Sequence, residues 1–173
     1  MNLLVLSDSH RNRQGIKSSV WVQTVLPASQ RPDYILFLGD GLDGFEELSR
    51  YDLKGASLLA VRGNCDFFAS QDTPDLREVV FANYRAVMMH GHKFSVKDGL
   101  DRAVAYAAQC GADLLLFGHT HEPFSRCYDA GETVGGVTIE KPLIAFNPGA
   151  VECGSFGVVT LSEKGILTSH GKI

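Results

Sequence analysis

Long apolar runs are absent from this 173-residue chain. None approaches the ~20 residues that a membrane-spanning helix needs, so no membrane partner is expected. Runs of positive charge are absent too. Sixteen Lys and Arg stand against twenty Asp and Glu, a net charge of −4, and no basic cluster offers the footprint of a nucleic-acid binder. Cysteine is scarce: Cys65, Cys110, Cys127 and Cys153 are all there is, and no two share the C-x-x-C spacing of a zinc knuckle or a thioredoxin-like pair. No cationic leader precedes the first apolar run, so the expectation is a cytoplasmic chain with reduced thiols. The Walker A loop and the G-x-S-x-G elbow are both missing. Linkers and low-complexity segments are missing as well, and the chain reads as one domain over residues 1–173.

What is present is a series of short apolar runs at residues 3–6, 34–38, 58–61, 86–89, 114–117 and 143–146. Four or five apolar residues between polar or glycine-rich segments read as strands buried on both faces. Helical patterns lie between several of them. The clearest covers 98–110, with Leu100, Ala103, Val104, Ala107 and Ala108 on one face, Asp98 as the expected N-cap and Gly111 just past the end. A second covers 13–26, stopped by Pro27, and a short third covers 45–51 with Asp43 as its N-cap. The first half therefore reads as βαβ units with a parallel sheet. Segments 78–81 and 84–89 read as a hairpin around Ala82-Asn83. Short strands at 124–128, 137–140, 157–161 and 166–170 make the later part mostly antiparallel or mixed. The expected fold class is α/β, with two packed sheets and helices outside.

Each of the six runs leads at once into a polar motif. In order these are Asp8-Ser9-His10, Gly39-Asp40, Gly63-Asn64-Cys65-Asp66, His90-Gly91-His92, Gly118-His119-Thr120-His121 and Asn147-Pro148-Gly149. In an open α/β sheet, ligands bind beyond the carboxyl ends of the strands. If these strands run the same way, their ends bring Asp8, His10, Asp40, Asn64, His90, His119 and His121 to one place. That is an oxygen and nitrogen ligand set too large for one tetrahedral ion, so two divalent ions are implied. Asp40, at a tight Gly-Asp corner, is the natural bridge between them. Asp-x-His and His-x-His suit a strand end, where residues i and i+2 face the same side. Two divalent ions against two carboxylates leave the centre about two charges positive, which favours an anionic substrate and a metal-bound hydroxide near neutral pH. In-line attack on a phosphoester is the reaction that this arrangement serves.

Taken together, Asp8-x-His10, Gly39-Asp40-x-x-Asp43, Gly63-Asn64, His90-Gly91 and Gly118-His119-x-His121 resemble, in order, the signature of the calcineurin-like metallophosphoesterases. The short length and the Gly63-Asn64-Cys65-Asp66 and Asn147-Pro148-Gly149 segments are similar to the small YfcE-type phosphodiesterases. The resemblance covers nearly the whole chain. It implies a four-layer αββα sandwich of two mixed sheets. It implies one metal on Asp8, His10, Asp40 and His121 and another on Asp40, Asn64, His90 and His119, with manganese first and iron, nickel, cobalt or zinc open. The implied reaction is phosphodiester hydrolysis of a small phosphoester substrate by a metal-bound hydroxide. The oligomeric state is open, a homo-oligomer included. Many relatives carry a His after the motif's Asn to assist the leaving group, and here that position is Cys65.

Alternatives stand beside this reading. The same metal site would suit a phosphomonoesterase, and the fold also serves Vps29-type protein-binding scaffolds. A scaffold has no need of seven ligands, so the enzyme reading is preferred. Asp40, Asn64 and His92 are the candidate catalytic residues, and Cys65 and His92 the candidate substrate contacts. His92 is expected to act on substrate or beside His90 rather than on metal. His170 is expected to be structural, and Asp66 to orient its neighbours or cap a turn. The segment from Gly39 to Gly44 also fits G-x-G-x-x-G, but Asp40 would oppose a phosphate in that turn.

Overall fold

The computed structural model describes residues 1–67 and 72–173. Strands β1 (Asn2–Leu6), β2 (Tyr34–Phe37) and β3 (Ser57–Ala60) lie side by side and parallel in one sheet. A second sheet holds β5 (Tyr84–Met89), β6 (Leu114–Phe117) and β10 (Leu143–Pro148), again mutually parallel. These six strands are the six apolar runs, so their carboxyl ends deliver all six motifs.

Antiparallel strands complete both sheets. β11 (Ser155–Ser162) and β12 (Gly165–Lys172) extend the first sheet beyond β1. β4 (Leu76–Phe81) pairs with β5, and β7 (Pro123–Tyr128) pairs with β10, at the two edges of the second. Among the described residues the result is two mixed five-stranded sheets, with a small separate ribbon of β8 (Thr133–Val134) and β9 (Val137–Thr138).

The layers follow from the two-residue period of a strand. Leu3 and Val5 of β1 face the second sheet and meet Met88, Leu114, Leu116 and Phe146. Leu4 and Leu6 face the other way and pack on helices α1 (Arg13–Thr24) and α2 (Leu42–Glu46) through Ile16, Val20, Leu42 and Phe45. On the far side, Val87, Leu115 and Ala145 meet Ala103, Val104 and Ala107 of α3 (Asp101–Gln109). Each fully buried Leu or Phe in these layers contributes about 1.5–3 kcal/mol. Helices cover both outer faces, which is the expected αββα arrangement. Among the described residues, no helix is long and apolar enough to cross a membrane.

Three local expectations change. Helix α3 begins at Asp101, not at 98, and Asp98 does not cap it. Gly99 at φ +148° cannot enter a helix, so the helix starts only after it. The short helix begins at Leu42, with Gly41 at its N-cap, and a 3-10 turn follows over Glu47–Arg50. Asp43 thus sits inside the first turn, where Oδ1 accepts the Gly44 N–H at 2.8 Å and Oδ2 takes the Arg13 guanidinium at 2.6 Å. The strand expected over 137–140 shrinks to Val137–Thr138. At the end of α3, Gly111 does take the left-handed conformation (φ +62°) that closes a helix.

Candidate metal centre

The polar motifs leave their strands immediately, and the backbone bends sharply to turn their side chains inward. Asp8, His10, Asp40, His119 and His121 all hold left-handed φ angles, between +47° and +70°. Such a backbone costs a non-glycine residue roughly 1–2 kcal/mol. Strain concentrated in five candidate ligands is the pattern of a functional site. It also corrects one expectation. Asp8 and His10, like His119 and His121, converge through left-handed loop residues past the strand, not through strand alternation.

The seven candidates fall into two groups that approach each other through His10 and Asp40. Ligand atoms of Asp8, His10 and His121 lie within 4.8 Å of one another, and those of Asp40, His90 and His119 do likewise. Asn64 joins the second group, its Oδ1 3.1 Å from His90 Nε2. A third set, His10, Asp40 and Cys65, links the two.

The donor chemistry fits cations. His90 Nδ1 donates to the Leu38 carbonyl at 2.7 Å, so in the neutral ring it is Nε2 that presents a lone pair to the cluster. His119 Nδ1 lies 3.1 Å from that lone pair, and His10 Nε2 faces His121 Nε2 at 3.3 Å. Asp8 Oδ2 is occupied by the Ser7 hydroxyl at 2.5 Å and the His119 N–H at 2.9 Å. Asp8 Oδ1 is buried without a hydrogen bond, 3.2 Å from His121 Nε2. A buried carboxylate oxygen without a partner, among facing imidazole nitrogens, is what a positive ion would satisfy.

Electrostatics agree. Burial pushes the Asp40 carboxyl up, but His90 and the Cys65 N–H outweigh it and hold the group far below the usual carboxylate range. Burial likewise opposes a charged His90, yet Asp40, 3.4 Å away, and Asp8 raise it. Burial, then the neighbouring His90, lowers His119 to about 4, so its ring is neutral and can ligate at physiological pH.

Asp66 emerges as the residue that assembles the corner. Its Oδ2 accepts the N–H groups of Asp40 and Gly63, both at 2.8 Å. Its Oδ1 accepts those of Gly41 at 2.7 Å and Leu42 at 2.9 Å. One buried carboxylate therefore ties the Asp40 turn, the start of α2 and the Asn64 loop together. The anion held by the G-x-G-x-x-G turn is the chain's own Asp66. On the other side, Asn147 Nδ2 donates to the Gly118 carbonyl at 3.0 Å and the Thr120 hydroxyl at 3.1 Å, fixing the loop that carries His119 and His121. His170 is structural, with Nε2 donating to the Asn147 carbonyl at 2.8 Å and its ring stacked on Phe146. Ser7 and Glu152 were not legible as site residues. Glu152 Oε2 comes within 3.9 Å of His10 Nε2.

His92 stands outside both ligand groups. Gly91 turns the chain at φ +107°, and the His92 ring rests 5.4 Å from the His90 ring and 6.2 Å from that of His119. Its Nδ1 is buried without a hydrogen bond. The expected result for His92→Ala is full metal stoichiometry by elemental analysis and a rate lower by ~10–100-fold, the usual range for groups that support a metal's ligands. Loss of an ion in that variant would contradict the placement.

Beyond the ligands, the cleft continues into a pocket of about 480 Å³ bounded by His10, Arg11, Asp40, Cys65 and Phe67. A larger apolar groove of about 760 Å³, with Val20, Trp21 and Tyr51 in its walls, lies on the α1 face and gathers none of the candidate ligands.

Comparison with known proteins bears on this geometry. The profile of the calcineurin-like phosphoesterase superfamily domain matches residues 1–164. The probable metallophosphoesterase YsnB of Bacillus subtilis (strain 168) is 26% identical over 152 residues, covering 87% of this chain and 75% of that protein. Two solved structures share the fold. An archaeal phosphodiesterase superposes with a TM-score of 0.65 at 19% identity, covering 98% of this chain and 99% of the other. Vps29 of Entamoeba histolytica, solved with Zn2+, superposes with a TM-score of 0.68 at 20% identity, covering 99% of each chain.

Proposed function

The chain belongs to the calcineurin-like phosphoesterase superfamily, and on that premise we propose that it hydrolyses phosphodiesters at a centre of two divalent ions. Asp8, His10, Asp40 and His121 would hold one ion, and Asp40, Asn64, His90 and His119 the other. Manganese is the first choice, with iron, nickel, cobalt and zinc open. The observation that carries the reading is the buried Oδ1 of Asp8, without a hydrogen bond, beside two ligand groups that a third set containing His10 and Asp40 links. When bound, such ions supply Lewis-acid activation of water and of the phosphoryl oxygens.

The chain's own residues supply order. Ser7 and the His119 N–H hold Asp8 so that only Oδ1 faces the cluster. The Leu38 carbonyl fixes the His90 tautomer. Asp66 holds the backbone of Asp40, and the Cys65 N–H donates to Asp40 Oδ1 at 2.7 Å. The diester preference is supported by space. The pocket next to the ligands has room for a second ester arm, which a monoester does not possess. A Vps29-type docking role is the other class. Metal ligation does not separate the two classes, because Vps29 of Entamoeba histolytica was itself solved with Zn2+, so turnover is the readout that discriminates.

The test is hydrolysis of bis(p-nitrophenyl) phosphate and of p-nitrophenyl phosphate by the metal-loaded protein. The diester should be the better substrate by kcat/KM. A monoester preference would overturn the diester reading, and no turnover with any of the five metals would overturn the enzyme reading.

Cys65 sets the leaving-group dependence. Desolvation at the cleft wall, then Asp40 nearby, pushes its thiol up to about 11. A thiol so reluctant to give up its proton is a poor acid for a departing alkoxide, whereas a histidine with a pKa of ~6.5 is a good one. Across a series of aryl phosphodiesters, the wild type should show a steep fall of log kcat/KM with leaving-group pKa. Cys65→His should flatten that slope, raising the rates of the poorest leaving groups most. A slope already flat in the wild type would mean that another group donates the proton.

A further inference from the structure

The pocket beside the ligands contains chemistry that metal binding leaves unused. His10, Asp40 and Cys65 form the part of its wall that belongs to the ligand cluster, while Arg11 and Phe67 form a part that does not.

A charge inventory of the pocket is one-sided. Three carboxylates reach it, and all three are engaged. Asp66 accepts four backbone N–H groups. Asp43 is held by the Gly44 N–H and by Arg13. Asp40 faces the ligand cluster and accepts the Cys65 N–H. Arg11 is the one cation among the described lining residues, and its exposed guanidinium has no hydrogen bond or ion pair with any described residue. A free guanidinium among engaged carboxylates is a site for an anion. On the two-ion reading the metal centre would neutralise the reacting phosphate, which leaves the charge of Arg11 for a second anionic group. Phe67 adds an aromatic face. It leaves 82% of its surface exposed on the pocket wall, where a flat ring can stack and cover it.

We propose that this pocket receives one ester arm of the substrate, and that the arm carries a flat aromatic ring with a second negative charge, the ring against Phe67 and the charge on Arg11. The inference rests on the phosphodiesterase reading for what the arm is attached to. Arg11 and Phe67 are then the residues that determine specificity, acting on binding rather than on bond cleavage.

The experiment is calorimetric titration of methylphosphonate, phenylphosphonate and 4-carboxyphenylphosphonate into the metal-free and the manganese-loaded protein. None of the three is a phosphoester, so binding is read without turnover. The wild type should bind phenylphosphonate about fivefold more tightly than methylphosphonate, and the carboxylated ligand about fivefold more tightly again, the range expected for one partly exposed stacking contact and one charge-assisted hydrogen bond. Phe67→Ala should erase the first step and keep the second. Arg11→Ala should erase the second step and keep the first, and Arg11→Lys should restore part of it. Equal affinity for all three ligands in the wild type would overturn the proposal, as would variants that retain both steps. If the ladder is flat while the wild type hydrolyses diesters, only the pocket assignment falls. If the ladder is present while no diester is hydrolysed, the pocket stands and the phosphodiesterase reading falls.

Discussion

Asp40→Asn is expected to give a folded protein that has lost at least about a thousandfold in kcat/KM toward phosphodiesters and no longer retains two ions per chain. Asp40 belongs to the His90 and His119 group and, with His10, to the set that links it to the other group, which is why it is proposed as the shared ligand; it is 2% exposed, with Oδ1 on the Cys65 N–H and Oδ2 3.4 Å from His90 Nε2. An amide there has one acceptor oxygen, so it can serve the backbone or an ion, but not the backbone and two ions. It also removes one of the two negative charges that offset the ions. The fold should survive, because the Asp40 turn is shaped by backbone N–H groups that donate to Asp66, and an Asn side-chain oxygen can still accept the Cys65 N–H. Urea unfolding should therefore show a stability within about 1 kcal/mol of the wild type. Elemental analysis and diester turnover are the readouts. Turnover within tenfold of the wild type, with two ions retained, would mean that Asp40 is not the shared ligand.

Asp66 should produce the second large effect, through a different route. Asp66→Ala strands four backbone N–H groups in a buried corner, and the expected loss of stability is roughly 3–5 kcal/mol, a large share of a typical domain's total. Asp66→Asn is the milder companion. Its oxygen can serve one pair of N–H groups, while its own NH2 faces the other pair, so about 2 kcal/mol should be lost. The corner carries both Asp40 and Asn64, and a displacement of about 1 Å there is enough to cost ~100-fold in rate. Asp66→Asn should thus remain folded at 25 °C, require more metal to reach half-maximal activity, and turn over ~100-fold more slowly at saturating metal. Urea denaturation and metal titration of activity check it. A variant as stable and as active as the wild type would show that the four hydrogen bonds do not hold the corner.

How much of this was legible in the sequence depended on how local each signal is. The six apolar runs at residues 3–6 through 143–146 matched strands because a run buried on both faces is written in consecutive residues. The candidate ligands were legible because each follows such a run directly. Helix starts were less legible. Asp98 looked like a cap, but Gly99 at φ +148° breaks the geometry, and that angle is a property of the folded turn. Asp43 looked like a cap as well. The true support for α2 comes from Asp66, more than twenty residues later in the chain, and a contact of that separation leaves no local pattern. Ser7 was hidden for a different reason. A serine before an aspartate is unremarkable in sequence, and only the fold turns its hydroxyl onto Asp8 Oδ2. The pocket formed by Arg11 and Phe67 was invisible for the same reason, since the two residues meet only across the loops after β1 and β3.

The central claim is that Asp8, His10, Asp40, Asn64, His90, His119 and His121 hold two cooperating ions. It is tested most directly by titrating manganese into the metal-free protein while following bound metal by equilibrium dialysis and hydrolysis of bis(p-nitrophenyl) phosphate in the same samples. Binding should saturate at two ions per chain, and activity should rise chiefly with the second equivalent. Saturation at one ion per chain with full activity would contradict the account.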